Sequence, residues 1–161
     1  MEFYLKAQKI YELLNDKAGM AKSYSMLGIV YTDKGDYPKA IEYYLKSLKI
    51  NETLGDKKSL LNCYTNLGEV HNKQYNYTEA LEYYQLALNI ANELKQKRGI
   101  LVCFNGIGNV YMKLGGECKV KGNDSVAYKN YNKAIDYYNK VLSILEETGD
   151  KKNSKFKLHS E

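Results

Sequence analysis

Three cysteines, two histidines and two glycine-rich stretches are the residues most able to carry chemistry in this chain. A disulfide framework or a zinc site calls for cysteines paired at close spacing, and Cys63, Cys103 and Cys118 are odd in number with no CxxC among them. Cys63 and Cys103 stand forty residues apart, as small packing residues in one slot of a repeat would. His71 occupies a position where an aromatic recurs, and His159 lies in a polar tail. Neither has a sequence neighbour that would complete a metal site or an acid–base pair. "GIGNVY" at 106–111 begins like a dinucleotide fingerprint, yet Tyr111 stands where the third glycine belongs and the stretch reads as helix without a preceding strand. "GGECKVKGNDS" at 115–125 lacks the GxxxxGK[ST] spacing of a phosphate loop. Asn51, Asn76 and Asn123 open N-x-S/T sequons, as chance allows in a chain rich in asparagine. No catalytic centre, cofactor or metal is expected, so the residues that matter are those that bind.

What would position them is a repeat. "AIEYYLKSLKI" at 40–50 returns as "ALEYYQLALNI" at 80–90 and as "AIDYYNKVLSI" at 134–144. Registered on that phrase, residues 16–55 and 56–95 form two units without a gap, and 96–149 form a third with fourteen extra residues between Lys113 and Asn130, an insertion near 115–128. Residues 2–15 match the second half of a unit, and 150–161 begin another or form a tail. The chain, 1–161, is thus read as a single array. A period of this size marks a solenoid whose units bury a shared core.

Each unit reads as two helices. Tyr24, Leu27, Gly28 and Tyr31 fall on one helical face, and so do Tyr64, Leu67, Gly68 and His71, then Phe104, Ile107, Gly108 and Tyr111. Glycine inside a helix costs about 1 kcal/mol against alanine, so its return in one slot predicts a crossing too close for a side chain. Ala40, Tyr44 and Ser47, then Ala80, Tyr84 and Ala87, then Ala134, Tyr138 and Val141 give the second helices a small–aromatic–small seam. Asp36, Asn76 and Asn130 are expected to cap the second helices, with Pro38 in a first turn and Glu79 completing a capping box with Asn76. Asp16, Asp56 and Asp150 are expected to cap the first helices. Ala127 and Tyr131 keep helical spacing, so the third unit's second helix is expected to begin near Ser125, leaving 115–124 as a protruding loop.

These units resemble tetratricopeptide repeats: an aromatic, then Leu-Gly or Ile-Gly, then an aromatic on the first helix, and alanine with an aromatic on the second. Tyr24, Tyr64 and Phe104 replace the family's usual tryptophan, and its proline after the second helix is missing. Both departures, with the forty-residue period, are similar to the long-helix variety of kinesin light chains, Pins-type spindle scaffolds and bacterial Rap-type regulators. The resemblance implies an all-α, right-handed superhelical solenoid of antiparallel hairpins, and a non-catalytic scaffold that binds a protein or peptide partner.

It also implies that the first helices line a concave groove. Carried over by register, that face holds Lys22, Ser25, Ile29, Thr32 and Asp33, then Asn62, Thr65, Asn66, Glu69, Asn72 and Lys73, then Val102, Asn105, Asn109, Met112 and Lys113. The groove set expected to contact a peptide is Asn62, Asn66, Glu69, Lys73, Asn105, Asn109, Met112 and Lys113. Ser25 and Ile29 stand where the family's carboxylate clamp has Lys and Asn, so chaperone tails are not the expected ligand. An asparagine amide donates and accepts at once, which matches the backbone of an extended peptide.

Composition bounds the rest. At 161 residues, 44% apolar and 27% charged, the chain can fold around a core. Its net charge of +5 comes from lysines bunched at turns, "DKK", "KQKR" and "DKK", a distribution that does not point to nucleic acid. No apolar run approaches the roughly 20 residues of a membrane helix and "MEFYLKAQKI" is unlike a signal peptide, so a cytoplasmic protein is expected. Phe3, Ile10 and Leu14 at one end, and Tyr137, Val141 and Ile144 at the other, lack a covering helix, so the chain is expected to be a fragment or to self-associate. The alternative function is a sensor or regulatory segment of a larger signalling protein, such as a histidine kinase or transcriptional regulator.

Overall fold

The computed structural model describes residues 2–147, and among them the secondary structure is α-helix alone. Residues 150–161, with Asp150 and His159, lie outside the described residues. The helices are α1 (Glu2–Leu13), α2 (Lys17–Asp33), α3 (Tyr37–Leu54), α4 (Lys57–Lys73), α5 (Tyr77–Glu93), α6 (Lys97–Val120) and α7 (Asp124–Glu147). They pair as hairpins α2–α3, α4–α5 and α6–α7, and α1 packs on α2 as a lone second helix.

The same turn joins them all. Asn15, Gly35, Gly55, Tyr75, Lys95 and Gly122 each take a positive φ, between 51° and 74°. The next residue donates its N–H back to a carbonyl five positions earlier, as in Asp36 to Tyr31 (2.9 Å), Asn76 to His71 (3.0 Å) and Asn123 to Cys118 (2.9 Å). That is the Schellman closure, which satisfies the last helical carbonyls and reverses the chain within three residues. The following residue then starts the next helix. Asp16 accepts from the Gly19 N–H at 3.0 Å, Asp36 from Lys39 at 3.4 Å and Asp56 from Lys58 and Ser59 at 3.1 Å, so these three caps are as the sequence predicts.

Two expected caps are corrected. Asn76 stands at the N-cap but its side chain makes no capping bond. Its own N–H is already spent on His71, so no donor remains for Glu79 and the capping box does not form. Asn130 lies inside α7, its amide 3.9 Å from the Cys118 sulfur, and the cap is Asn123, which accepts from Val126 at 3.4 Å.

Glycine and tyrosine set the hairpin crossings. A Cβ built on Gly28 would stand 2.5 Å from the Tyr44 ring, one on Gly108 2.7 Å from Tyr138, and one on Gly68 3.0 Å from Tyr84. Tyr84 also meets the next hairpin, where a Cβ on Gly106 would stand 2.5 Å from it. Leu27, Leu67, Ile107, Ala40, Ala80 and Ala134 are buried along these seams, as are Cys63 and Cys103.

The insertion is not a loop. Residues 115–120 continue α6, the turn is confined to 121–123, and α7 begins at Asp124. Both α6 and α7 have 24 residues where α4 and α5 have 17, so the fourteen extra residues divide seven and seven. Seven residues are close to two helical turns, so each helix keeps its face toward its partner and the hairpin lengthens by about 10 Å. The crossing repeats one heptad along: a Cβ on Gly115 would stand 2.5 Å from Tyr131, and Ala127 is buried like Ala134.

Neighbouring hairpins pack chiefly with the second helix of one against the first helix of the next, and their first helices also approach each other. Among the described residues α2 meets α4 and α4 meets α6, whereas α3 and α5 do not meet, nor do α5 and α7. The layer whose members approach one another is the inner side of a curve, so α2, α4 and α6 line the concave face.

Candidate functional site

On that inner face a groove of about 620 Å³ lies across α2 and α4. Lys22, Ser25 and Ile29 line it from α2, Asn62, Thr65 and Asn66 from α4, and Asn51 and Leu54 from the end of α3. A smaller hollow of about 110 Å³ continues it toward α6, with Asn62 and Thr65 on one wall and Gly99 and Val102 on the other. Thr65 donates its hydroxyl to the Leu61 carbonyl at 2.7 Å, so the Asn62 and Asn66 amides and the Lys22 ammonium are uncommitted polar groups of the groove. Asn62 is exposed and Asn66 half-buried, and neither side chain has a hydrogen-bond partner among the described residues. Asn105, half-buried on α6, is free in the same sense.

The other expected groove residues are dispersed. Glu69 and Lys73 pair with each other at 3.3 Å along α4. Asn109 accepts a hydrogen bond from the Tyr138 hydroxyl at 2.7 Å, which ties it to α7. Lys113 donates to the Asn72 carbonyl at 3.3 Å and sits over the Tyr75 ring, so it belongs to a different concavity. Met112 is half-buried on α6. Thr32 and Asn72 are buried instead of facing the groove; Thr32 donates to the Gly28 carbonyl at 2.9 Å beside the Tyr44 hydroxyl. Burial pushes the Tyr44 hydroxyl up to about 12, so it stays protonated there.

Beneath the groove lies a polar network that the sequence does not announce. Ser47, buried on α3, donates to the Ala21 carbonyl at 2.8 Å and accepts from the Ser25 hydroxyl at 2.8 Å and the Asn51 amide at 3.2 Å. One donor and two acceptor positions are thus filled, as a buried hydroxyl requires. The Cys63 sulfur lies 3.4 Å from Ser47 and packs with the network. Buried Asn51 is therefore a structural residue and not an accessible sequon. In the second hairpin Ala87 takes the place of Ser47 and the seam is apolar.

The Cys103 thiol and the His71 ring are both taken up by packing. Burial pushes the Cys103 thiol up to about 11, far from a nucleophilic thiolate. His71 stacks on Tyr83 with ring centroids 5.2 Å apart, and its buried Nδ1 has no hydrogen-bond partner. Among the described residues no group of His, Cys, Asp and Glu gathers as a metal would need. Nor is any helix among them long and apolar enough to cross a membrane.

The tetratricopeptide repeat is matched twice along the sequence, over residues 21–54 and 59–117. The chain belongs to the tetratricopeptide repeat family. Its fold is similar to the apo form of RapI, with a TM-score of 0.57 and 22% identity over 88% of this chain and 62% of that one. It is also similar to BtubC (BKLC) from P. vanneervenii, with a TM-score of 0.52 and 19% identity over 92% of this chain and 63% of that one. The present repeats thus span somewhat under two thirds of either protein, and the likeness is one of fold. A search of curated proteins returned no match.

Proposed function

We propose that this tetratricopeptide array is a non-catalytic protein-interaction scaffold whose α2/α4/α6 groove holds an extended or helical segment of a partner. The observation that carries this reading is the set of uncommitted amides on the inner layer: Asn62 and Asn66 line the groove, and Asn105 continues the row on α6. Mid-helix asparagine is a poor helix former, so its recurrence on this face has a cost that backbone recognition by the amide would offset. An open trough between stacked hairpins suits a chain segment better than a small molecule, which needs to be enclosed. Asn109 retains its amide N–H groups for the same segment. Lys73 and Lys113 favour an acidic partner, in competition with the intramolecular contacts that each already makes.

The test is the double substitution Asn66→Ala with Asn105→Ala, measured by calorimetry against a partner segment isolated by pull-down. Binding should weaken by about 1 kcal/mol per lost hydrogen bond. Folding should be unchanged or slightly improved, because alanine is the better helix former. Unchanged affinity would move the partner to another surface.

A second surface is offered as well. On α1, Phe3 and Leu13 are 77% and 87% exposed, and Ile10 and Leu14 lie beside them in the open. We infer that this face is covered by a second copy or by a further helix of a longer chain, since an apolar helix surface of this kind is otherwise left in water.

A further inference from the structure

The two extra turns of the third hairpin build a second concavity away from the groove. The end of α6 runs beside the turn that joins α4 to α5, and a hollow of about 350 Å³ opens between them. Tyr75 and Tyr77 form one wall; Gly116 and Val120 form the other, with Lys113 and Lys121 at the rim. The Tyr77 hydroxyl donates to the Glu117 carboxylate at 2.9 Å and ties the walls together. That bond and burial push the Tyr77 hydroxyl up to about 12, burial contributing most. A Cβ on Gly116 would meet only the Tyr131 hydroxyl, at 4.0 Å, so the floor is open.

Three observations show that this hollow is more than a gap between hairpins. Tyr75 has φ +64° and is 69% exposed, in the slot that Gly35, Gly55 and Gly122 fill in three equivalent turns and Asn15 and Lys95 in two others. A bulky side chain in the left-handed region is a genuine outlier, which glycine would relieve at the loss of one edge-on contact with the Tyr77 ring. Val120 is 90% exposed, facing water at the end of α6. The lining charge is net positive by one: Lys113, 5.8 Å over the Tyr75 ring, and Lys121, which has no ion-pair partner among the described residues, outnumber Glu117, whose carboxylate accepts from Tyr77.

We propose that this hollow is a second docking site, which takes a bulky apolar side chain from an acidic segment of a partner protein. The apolar side chain lies between the Tyr75 ring and Val120, and flanking carboxylates meet Lys113 and Lys121. Hydrophobic burial supplies affinity, and the lysines select an acidic over a basic segment in a way that salt weakens. The site is independent of the groove, so a bidentate partner could engage both.

The test uses a fluorescein-labelled peptide with a central leucine flanked on both sides by glutamates. Controls replace the leucine by alanine or the glutamates by lysines. Anisotropy gives affinity, and amide chemical shifts of the full chain give location. The expected shifts cluster at Tyr75, Gly116, Val120 and Lys121, and both control peptides bind more weakly. Tyr75→Gly should weaken binding at least about tenfold with an unchanged or raised melting temperature. Lys121→Glu should weaken it about threefold, and less at high salt. Asn66→Ala with Asn105→Ala should leave this binding unchanged, which separates it from the groove. Absence of saturable binding at millimolar peptide, shifts in the α2/α4 groove, or equal binding of the lysine-flanked control would overturn the proposal. So would a clear fall in melting temperature on Tyr75→Gly, because Tyr75 would then be a structural residue.

Discussion

Gly28 and Gly68 occupy the same slot of successive hairpins, and the structure predicts opposite tolerance of alanine at the two. A Cβ on Gly28 would stand 2.5, 2.6 and 2.8 Å from three atoms of the Tyr44 ring. Tyr44 is only 2% exposed and its hydroxyl is held 3.4 Å from Thr32, so the ring cannot swing aside. Carbon atoms settle near 3.5–4.0 Å, so α2 and α3 must separate by about 1 Å. Overpacking of that kind costs about 1–3 kcal/mol, against about 1 kcal/mol returned by the better helix former. With three ring atoms inside 3.0 Å the cost falls in the upper part of that range, about 2–3 kcal/mol, and the net is a loss of about 1–2 kcal/mol. At Gly68 the nearest atoms of Tyr84 are at 3.0, 3.0 and 3.1 Å, which asks for a shift of a few tenths of an ångström. There the propensity term roughly cancels the strain. Thermal melts read by circular dichroism should place Gly28→Ala about 3–6 °C below the parent and Gly68→Ala within about 2 °C of it. Equal melting of the two variants, or a Gly28→Ala protein more stable than the parent, would refute the idea that the glycine–tyrosine crossing fixes hairpin spacing.

Burial pushes His71 below its ordinary value of 6.5, with Glu79 pulling weakly the other way, so the native state prefers the neutral ring. The stability this gives is present above the unfolded value near 6.5 and is lost as pH falls through the lower folded value. Urea midpoints should drop on acidification from pH 7 to below 6, and His71→Tyr, the residue used at Tyr31 and Tyr111, should flatten that drop. The exposed face of α1 predicts concentration-dependent association in sedimentation velocity, with Leu13→Glu shifting the chain toward monomer. A monomer at every concentration in the parent would remove the self-association reading.

Much of this fold was legible because the repeat states each rule several times. Asp16, Asp36 and Asp56 precede helices as side-chain caps, and Gly28, Gly68 and Gly108 face the tyrosines that their spacing implies. The insertion was harder to read. Glycines and lysines at 115–124 look like loop composition, yet Gly115 and Tyr131 repeat the Gly108–Tyr138 contact one heptad along. The paired heptads carry the signal, not the composition of either half. Register carried over from the family also placed Thr32 and Asn72 in the groove, whereas each lies four residues after a crossing glycine, Gly28 or Gly68, on the face packed against its partner helix. Ser47 and Asn51 read as a small packing residue and a sequon; they bond to each other along α3, and only the packing of α2 against α3 shows that Ala21 and Ser25 complete the network. At Tyr75 the turn period is visible in the sequence, where Gly35 and Gly55 hold the equivalent position and Asn15 and Lys95 hold it in two other turns.

The central claim is that partners bind on the inner layer of helices. The most direct measurement is site-specific photo-crosslinking in cells, with a benzophenone amino acid placed singly at Asn66, at Asn105 or at Gln85. Asn66 and Asn105 are half-buried on the inner helices α4 and α6, and Gln85 is exposed on α5 in the outer layer. Binding on the inner layer gives one shared protein adduct from positions 66 and 105 and none from position 85, with the adduct lost when a peptide from that partner competes. An adduct from position 85 alone, with the two inner positions silent, would contradict it.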